Sequence, residues 1–176
     1  MENMISTLKN KILEIKVDKA GAELSSIRKL DDNCEYLWQG DPAFWARKSP
    51  VLFPIVGKLL NNKYTFGGNE YIMTQHGFAR DMEFALSEQS ADFLSYKLES
   101  NSELLKKYPF SFKLIISYRL KGNEVLVSYE VHNTDVTRMW FSIGAHPGFN
   151  CPLLPGEKME DYSIVFEKKE TLKRTI

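Results

Sequence analysis

The sequence predicts an all-β protein, an antiparallel β-sandwich carrying short helical turns. Three features lead there. Apolar residues recur mostly with period two, the apolar runs are short and end at turn-forming residues, and helical signals last only one or two turns. Leu13, Ile15 and Val17 mark an early strand. Asp41-Pro42-Ala43-Phe44-Trp45 offers an N-cap aspartate with proline at the first helical position, enough for a turn or two. A hairpin runs from Lys63-Tyr64-Thr65-Phe66 through Gly67-Gly68-Asn69 to Glu70-Tyr71-Ile72-Met73. Leu94, Tyr96 and Leu98 mark another strand, and Asn101 to Lys107 a short helix stopped by Pro109. Phe112, Leu114, Ile116, Tyr118 and Leu120 then share one strand face. Lys121-Gly122-Asn123 turns the chain into Val125, Val127, Tyr129 and Val131, a second hairpin. Ser163 to Glu167 reads as a last strand. No repeat, low-complexity linker or break in composition divides the chain, so residues 1–176 read as a single domain. A sheet ending at that last strand leaves an open edge, and the chain reads as shortened at its C-terminus. The edge calls for a cover, either a second copy in a homodimer or a missing C-terminal segment.

Composition narrows the function. A chain of 176 residues, 43% hydrophobic and 26% charged, is long enough to bury one core. Lys plus Arg and Asp plus Glu both number 23, a net charge of zero, which argues against nucleic acid and against an anionic membrane surface. The apolar stretch from Pro50 to Val56 is far too short to span a bilayer. Met1 to Asn10 holds no apolar core of a signal peptide. Cys34 and Cys151 fit two free thiols in a reducing compartment, and neither belongs to a CxxC pair of zinc-site spacing. These features describe a cytoplasmic protein that acts on a small molecule.

Three stretches break the alternation. Phe44 to Lys58 places two prolines inside an apolar run, which forbids a regular central strand and sets Lys58 at the exit. Taken alone, a buried loop with an exposed lysine is the more ordinary account of that stretch. In Gln75-His76-Gly77-Phe78-Ala79-Arg80-Asp81, the glycine lets backbone approach a ligand closely and Arg80 can fork onto an anion. The plain alternative is a turn in which Arg80 pairs with Asp81 or Glu83. In Phe141 to Asn150, His146 ends an apolar strand and is followed at once by Pro147 and Gly148. That stiff backbone suits a proton-transfer histidine as well as a structural one. His132 falls on a polar strand face with Ser128 and Glu130 and reads as solvated. Trp38 and Trp45 flank the first irregular stretch, where either stacks on a sugar ring or simply packs.

Together, Gly21 to Ile27, Tyr36 to Asp41, Pro50 to Gly57, Gln75 to Arg80 and Ser142 to Asn150 resemble the aldose 1-epimerase (galactose mutarotase) superfamily. The likeness is in particular to its bacterial branch of LacX-like proteins, and it runs in order along the whole chain. The resemblance implies the N-terminal portion of an antiparallel β-supersandwich with a sugar cleft on one face. It also implies an isomerase that interconverts α and β anomers of an aldose by general acid/base ring opening, with no cofactor or metal. By that resemblance His146 is the general acid that protonates the ring oxygen. His76 is a second active-site histidine bonded to the sugar nearby. Lys58 stands where better-known mutarotases carry a sugar-binding arginine, and a lysine is a point donor rather than a fork. Arg80 resembles an arginine that helps hold phosphate in the hexose-6-phosphate 1-epimerase branch. Trp45, Phe149 and Asn150 complete the expected substrate-binding set. The ligand implied is an aldohexose or its phosphate. The family's general-base glutamate and sugar-binding aspartate lie near its C-terminal end and have no counterpart in this sequence, which leaves non-catalytic carbohydrate binding as the alternative reading.

Overall fold

The computed structural model describes residues 5–169 and Thr171. Its first sheet is an antiparallel trio, β1 (Ile5–Lys9), β2 (Leu13–Asp18) and β3 (Glu23–Lys29), in that order. Asn10 closes the first turn by accepting hydrogen bonds from the Ile12 and Leu13 N–H groups, both at 2.8 Å. Leu13, Ile15 and Val17 are buried as their alternation requires, together with Leu8 and Leu24 from the flanking strands.

The larger sheet follows after three short strands. β4 (Val51–Leu52) is only two residues long, and β5 (Lys63–Phe66) and β6 (Asn69–Ile72) form the expected small hairpin. Then come β7 (Ala85–Gln89), β8 (Phe93–Glu99), β9 (Phe112–Lys121) and β10 (Glu124–Asn133), arranged in the order β10-β9-β8-β7 with every pairing antiparallel. Phe112, Leu114, Ile116, Tyr118 and Leu120 are all buried, and Val125, Val127 and Val131 pack on the same side. His132 is exposed beside Glu130, as its strand face demands. The two sheets share one core. Across it the Tyr118 hydroxyl donates to the Ala22 carbonyl at 2.6 Å. Finally β11 (Gly144–Ala145) pairs with β4.

Helix is as scarce as expected. α1 (Ser102–Leu105) is a single turn whose N-terminus is capped by Asn101, which accepts from the Glu103 and Leu104 N–H groups at 3.0 Å each. At Asp41 the Phe44 and Trp45 N–H groups both reach the Asp41 carbonyl, at 3.0 and 2.8 Å, and the turn ends there. Glu23 captures the Lys48 and Ser49 N–H groups at 2.7 Å each and leads the chain away. Among the described residues, no helix is long and apolar enough to cross a membrane.

One expected strand is absent. Ser163 to Glu167 pairs with no other segment among the described residues, and Ile164 is 85% exposed. A strand needs a neighbour for its N–H and C=O groups, and apolar composition cannot provide one. The open edges therefore lie elsewhere, on the outer strands of the sheets, β10 among them.

Candidate active site

The segment from Pro50 to Gly57 organises the site because it is held on two sides by the two histidine-bearing segments. Phe53 anchors it: the ring is fully buried and packs against Phe78 and Phe112 with centroids at 6.3 and 5.2 Å. On one side the Phe53 N–H donates to the His76 carbonyl at 3.2 Å, and the His76 N–H to the Gly57 carbonyl at 2.8 Å. The Phe53 carbonyl in turn accepts from Phe78 and Ala79, at 3.0 and 3.2 Å. On the other side β11 pairs with β4, the Ser142 N–H donates to the Pro54 carbonyl at 2.9 Å, and the His146 N–H to the Pro50 carbonyl at 3.1 Å. The prolines lack donors but keep their carbonyls. A segment that reads as non-ladder thus serves as a shared spine.

His76 and His146 consequently line one polar cleft of about 250 Å³, with Trp45, Gln75 and Arg80 around them and Pro50 and Leu52 at its base. His76 sits in the left-handed region at φ 67°, and Gly77 follows at φ 73°. A β-carbon on Gly77 would lie 2.2 Å from the Phe53 carbonyl oxygen, so only glycine fits against the spine. The Gly57 N–H donates to His76 Nδ1 at 3.0 Å. That bond requires an unprotonated Nδ1 and assigns the neutral ring's proton to Nε2; since Nε2 lies 3.2 Å from Gln75 Nε2, this tautomer goes with a Gln75 amide turned to present its oxygen. Burial, then the charges of Arg80 and His146, pull His76 below the ordinary histidine value. The imidazole of His146 meets the Trp45 ring at 5.2 Å between centroids, tilted by 53°.

The other expected binding residues divide. Arg80 borders the cleft, 19% exposed at its side chain. Its Nη2 donates to the Gln75 carbonyl at 2.8 Å, while its buried Nε has no hydrogen-bond partner and lies 3.9 Å from Asp81 Oδ2. Asp81 is held more tightly by Arg47. Trp45 forms a cleft wall. Phe149 lies outside the histidine cleft, in an adjoining aromatic hollow. Lys58 is exposed and does not line the histidine cleft, although the neighbouring Gly57 N–H holds His76. Asn150 also lies apart, its amide donating to the Glu35 and Leu37 carbonyls at 2.9 Å each, where it braces the loop after His146. Glu23 went unread as a site residue, yet its carboxylate fixes the approach to Pro50. Among the described residues, no group of three or more His, Cys, Asp or Glu side chains is placed to hold a metal ion.

Comparison with known proteins gives the family. The family model described as aldose 1-epimerase matches residues 4–175. The plasmid-encoded protein LacX of Lactococcus lactis subsp. lactis is 38% identical over 174 residues, covering 96% of this chain and 58% of that protein. A galactose mutarotase related enzyme from Lactobacillus acidophilus superposes with a TM-score of 0.87 at 38% identity, over 90% of this chain and 53% of that one. A galactose mutarotase-like protein from Lactobacillus casei does so at 0.82 and 40% identity, over 86% and 51%. The chain therefore spans little more than half the length of these relatives. With matching sequence along almost all of its residues and a fold in common with the solved structures, the chain belongs to the aldose 1-epimerase family.

Proposed function

We propose that this chain carries the acid side of a site that interconverts the α and β anomers of an aldose. The observation that carries the reading is the convergence of two imidazoles in one polar cleft beside an indole wall. In anomerisation a base removes the proton of the C1 hydroxyl while an acid protonates the ring oxygen. The C1–O5 bond opens to the aldehyde, rotation about C1–C2 exposes the other carbonyl face, and reclosure returns both protons. His146 serves as the acid on the ring oxygen. His76, held neutral by the Gly57 N–H at Nδ1, offers Nε2–H to a sugar oxygen. The cleft lining carries no carboxylate among the described residues, so the base comes from outside that lining. One guanidinium, already bonded to the Gln75 carbonyl, favours a neutral sugar over a sugar phosphate. The free thiols of Cys34 and Cys151 suit a cytoplasmic location. The outer edge of β10, unpaired among the described residues, offers a place for a second copy or a further C-terminal segment to add.

The test is polarimetry of freshly dissolved α-glucose and α-galactose. The chain is expected to accelerate the approach to equilibrium only modestly, because lack of one of the two proton-transfer groups costs roughly 10²–10⁴ in rate. The acceleration should vanish in His146→Ala. Equal rates for the two proteins would remove His146 from the chemistry. The missing carboxylate also favours a second reading, sugar binding without turnover. Saturable binding with no acceleration over buffer would select it.

A further inference from the structure

We infer that two copies of this chain associate by seating the Ile164-Val165-Phe166 segment of one in an aromatic hollow of the other. The hollow, of about 300 Å³, is walled chiefly by Tyr64, Phe66, Met73, Tyr108, Phe110 and Trp140, and it shares no lining residue with the histidine cleft. The Tyr64 hydroxyl donates to the Lys107 carbonyl at 2.8 Å, and the Tyr108 hydroxyl to the Trp140 carbonyl at 2.7 Å. Both phenols are thereby committed to backbone, and their rings present carbon to the hollow. The wall is also formed in advance. Phe110 packs on Phe66 and on Tyr108 with centroids at 4.6 and 4.8 Å. A surface that need not reorganise keeps more of its contact energy for the partner. At the lip Trp140 is 62% exposed, and an indole so open beside an apolar hollow marks a contact surface.

The chain itself carries the matching projection. Ile164, Val165 and Phe166 are 85, 86 and 63% exposed, in a segment that pairs with nothing among the described residues. Three apolar side chains in succession gain free energy by leaving water, whichever way the backbone turns them. The segment does not line the hollow of its own chain, so the copy that fills it is a second one. Tyr64, Thr65 and Phe66 border the hollow in succession, which brings the outer edge of β5 to it, and β5 pairs only with β6 among the described residues. An extended segment can add to that edge while Phe166 enters the hollow.

Charge selects the same occupant. The Arg138 guanidinium stands 5.5 Å over the Trp140 ring, Lys107 supplies the carbonyl that holds Tyr64, and Lys58 precedes the wall residue Leu59. On the adjoining β6 and α1, Glu70 and Glu103 are each paired with a lysine, Lys63 and Lys106. The projecting segment is bracketed by Glu160, Asp161 and Glu167, with Lys168 and Lys169 beyond. A basic rim thus receives an acidic strand.

Sedimentation velocity over rising protein concentration should show reversible self-association. Phe166→Asp on the projection and Trp140→Ala on the wall should each weaken it roughly thirtyfold, the loss of one central anchor. Both side chains are mostly exposed, so both variants keep the fold, which their melting temperatures check. A synthetic peptide of residues 160–167 tests the hollow alone. It should bind the Phe166→Asp chain saturably, bind less tightly as salt rises, and fail to bind the Trp140→Ala chain. A chain that stays monomeric throughout would overturn the inference. So would self-association that survives both variants, which would place the contact elsewhere, or a peptide bound equally by the Trp140→Ala chain.

Discussion

At His76 three requirements meet in one residue: a left-handed backbone, an acceptor for the Gly57 N–H, and a donor facing the cleft. Asparagine satisfies the first two, since it tolerates φ near 67° and its Oδ1 occupies the place of Nδ1. His76→Asn should therefore melt close to the parent yet bind monosaccharide roughly tenfold more weakly, the loss of one hydrogen bond, as read by calorimetry. The histidine also leaves a signature in pH. Burial, Arg80 and His146 hold the folded ring below its unfolded value of 6.5, so the unfolded chain binds the proton first as pH falls. Its contribution to stability is complete above that value and declines from there down to the folded pKa. Urea unfolding across pH 6.5 should show this slope, and His76→Asn should flatten it. His-Gly and His-Pro pairs interrupt an otherwise alternating chain and mark both histidines, but only the resemblance to the aldose 1-epimerase family assigned them to one site. Glu23 was not legible as a site residue, because its partners are backbone N–H groups of Lys48 and Ser49 that no side-chain pattern records. Asn150 shows the converse, a polar residue beside a site motif whose amide answers to Glu35 and Leu37.

Among the elements, the Pro50–Gly57 spine depends on how closely the His76 turn approaches it. Gly77→Ala would set a methyl carbon 2.2 Å from the Phe53 carbonyl in a backbone at φ 73°. The clash is with backbone, so it cannot be relieved by a rotamer. A destabilisation of about 3 kcal/mol or more is expected in chemical denaturation, and sugar binding should fail with it. The hairpins β5–β6 and β9–β10 were readable because alternation and a turn specify both partners within a few residues. β1, β3 and β7 each pair with a strand next to them in sequence, but all five residues of β7 are exposed, so no alternation announces it. Ser163 to Glu167 fails for the same reason in reverse, having strand-like residues and no described partner.

Across the whole molecule, the sheets are joined by packing and by polar ties that include the buried bond from Tyr118 Oη to the Ala22 carbonyl. Burial pushes the Tyr118 phenol well above its ordinary value, so it stays a donor throughout the working range. Tyr118→Phe would leave that carbonyl unsatisfied beneath the sheet and should cost about 1–2 kcal/mol by urea unfolding, with sugar affinity unchanged. That the fold is all-β was legible from periodicity alone. The pairing of the two sheets was not, because residues 22 and 118 carry no local sign of meeting. The doubly held spine has a further consequence for biosynthesis. Until the chain has been made as far as His146, the carbonyl of Pro50 has no such partner and β4 has no strand beside it. A ribosome-bound intermediate can complete both hairpins early, by short loop closures, yet remains unable to hold a sugar. Ligand capture would thus report the late meeting of Pro50 with His146, and arrested nascent chains of increasing length should gain it in a single step.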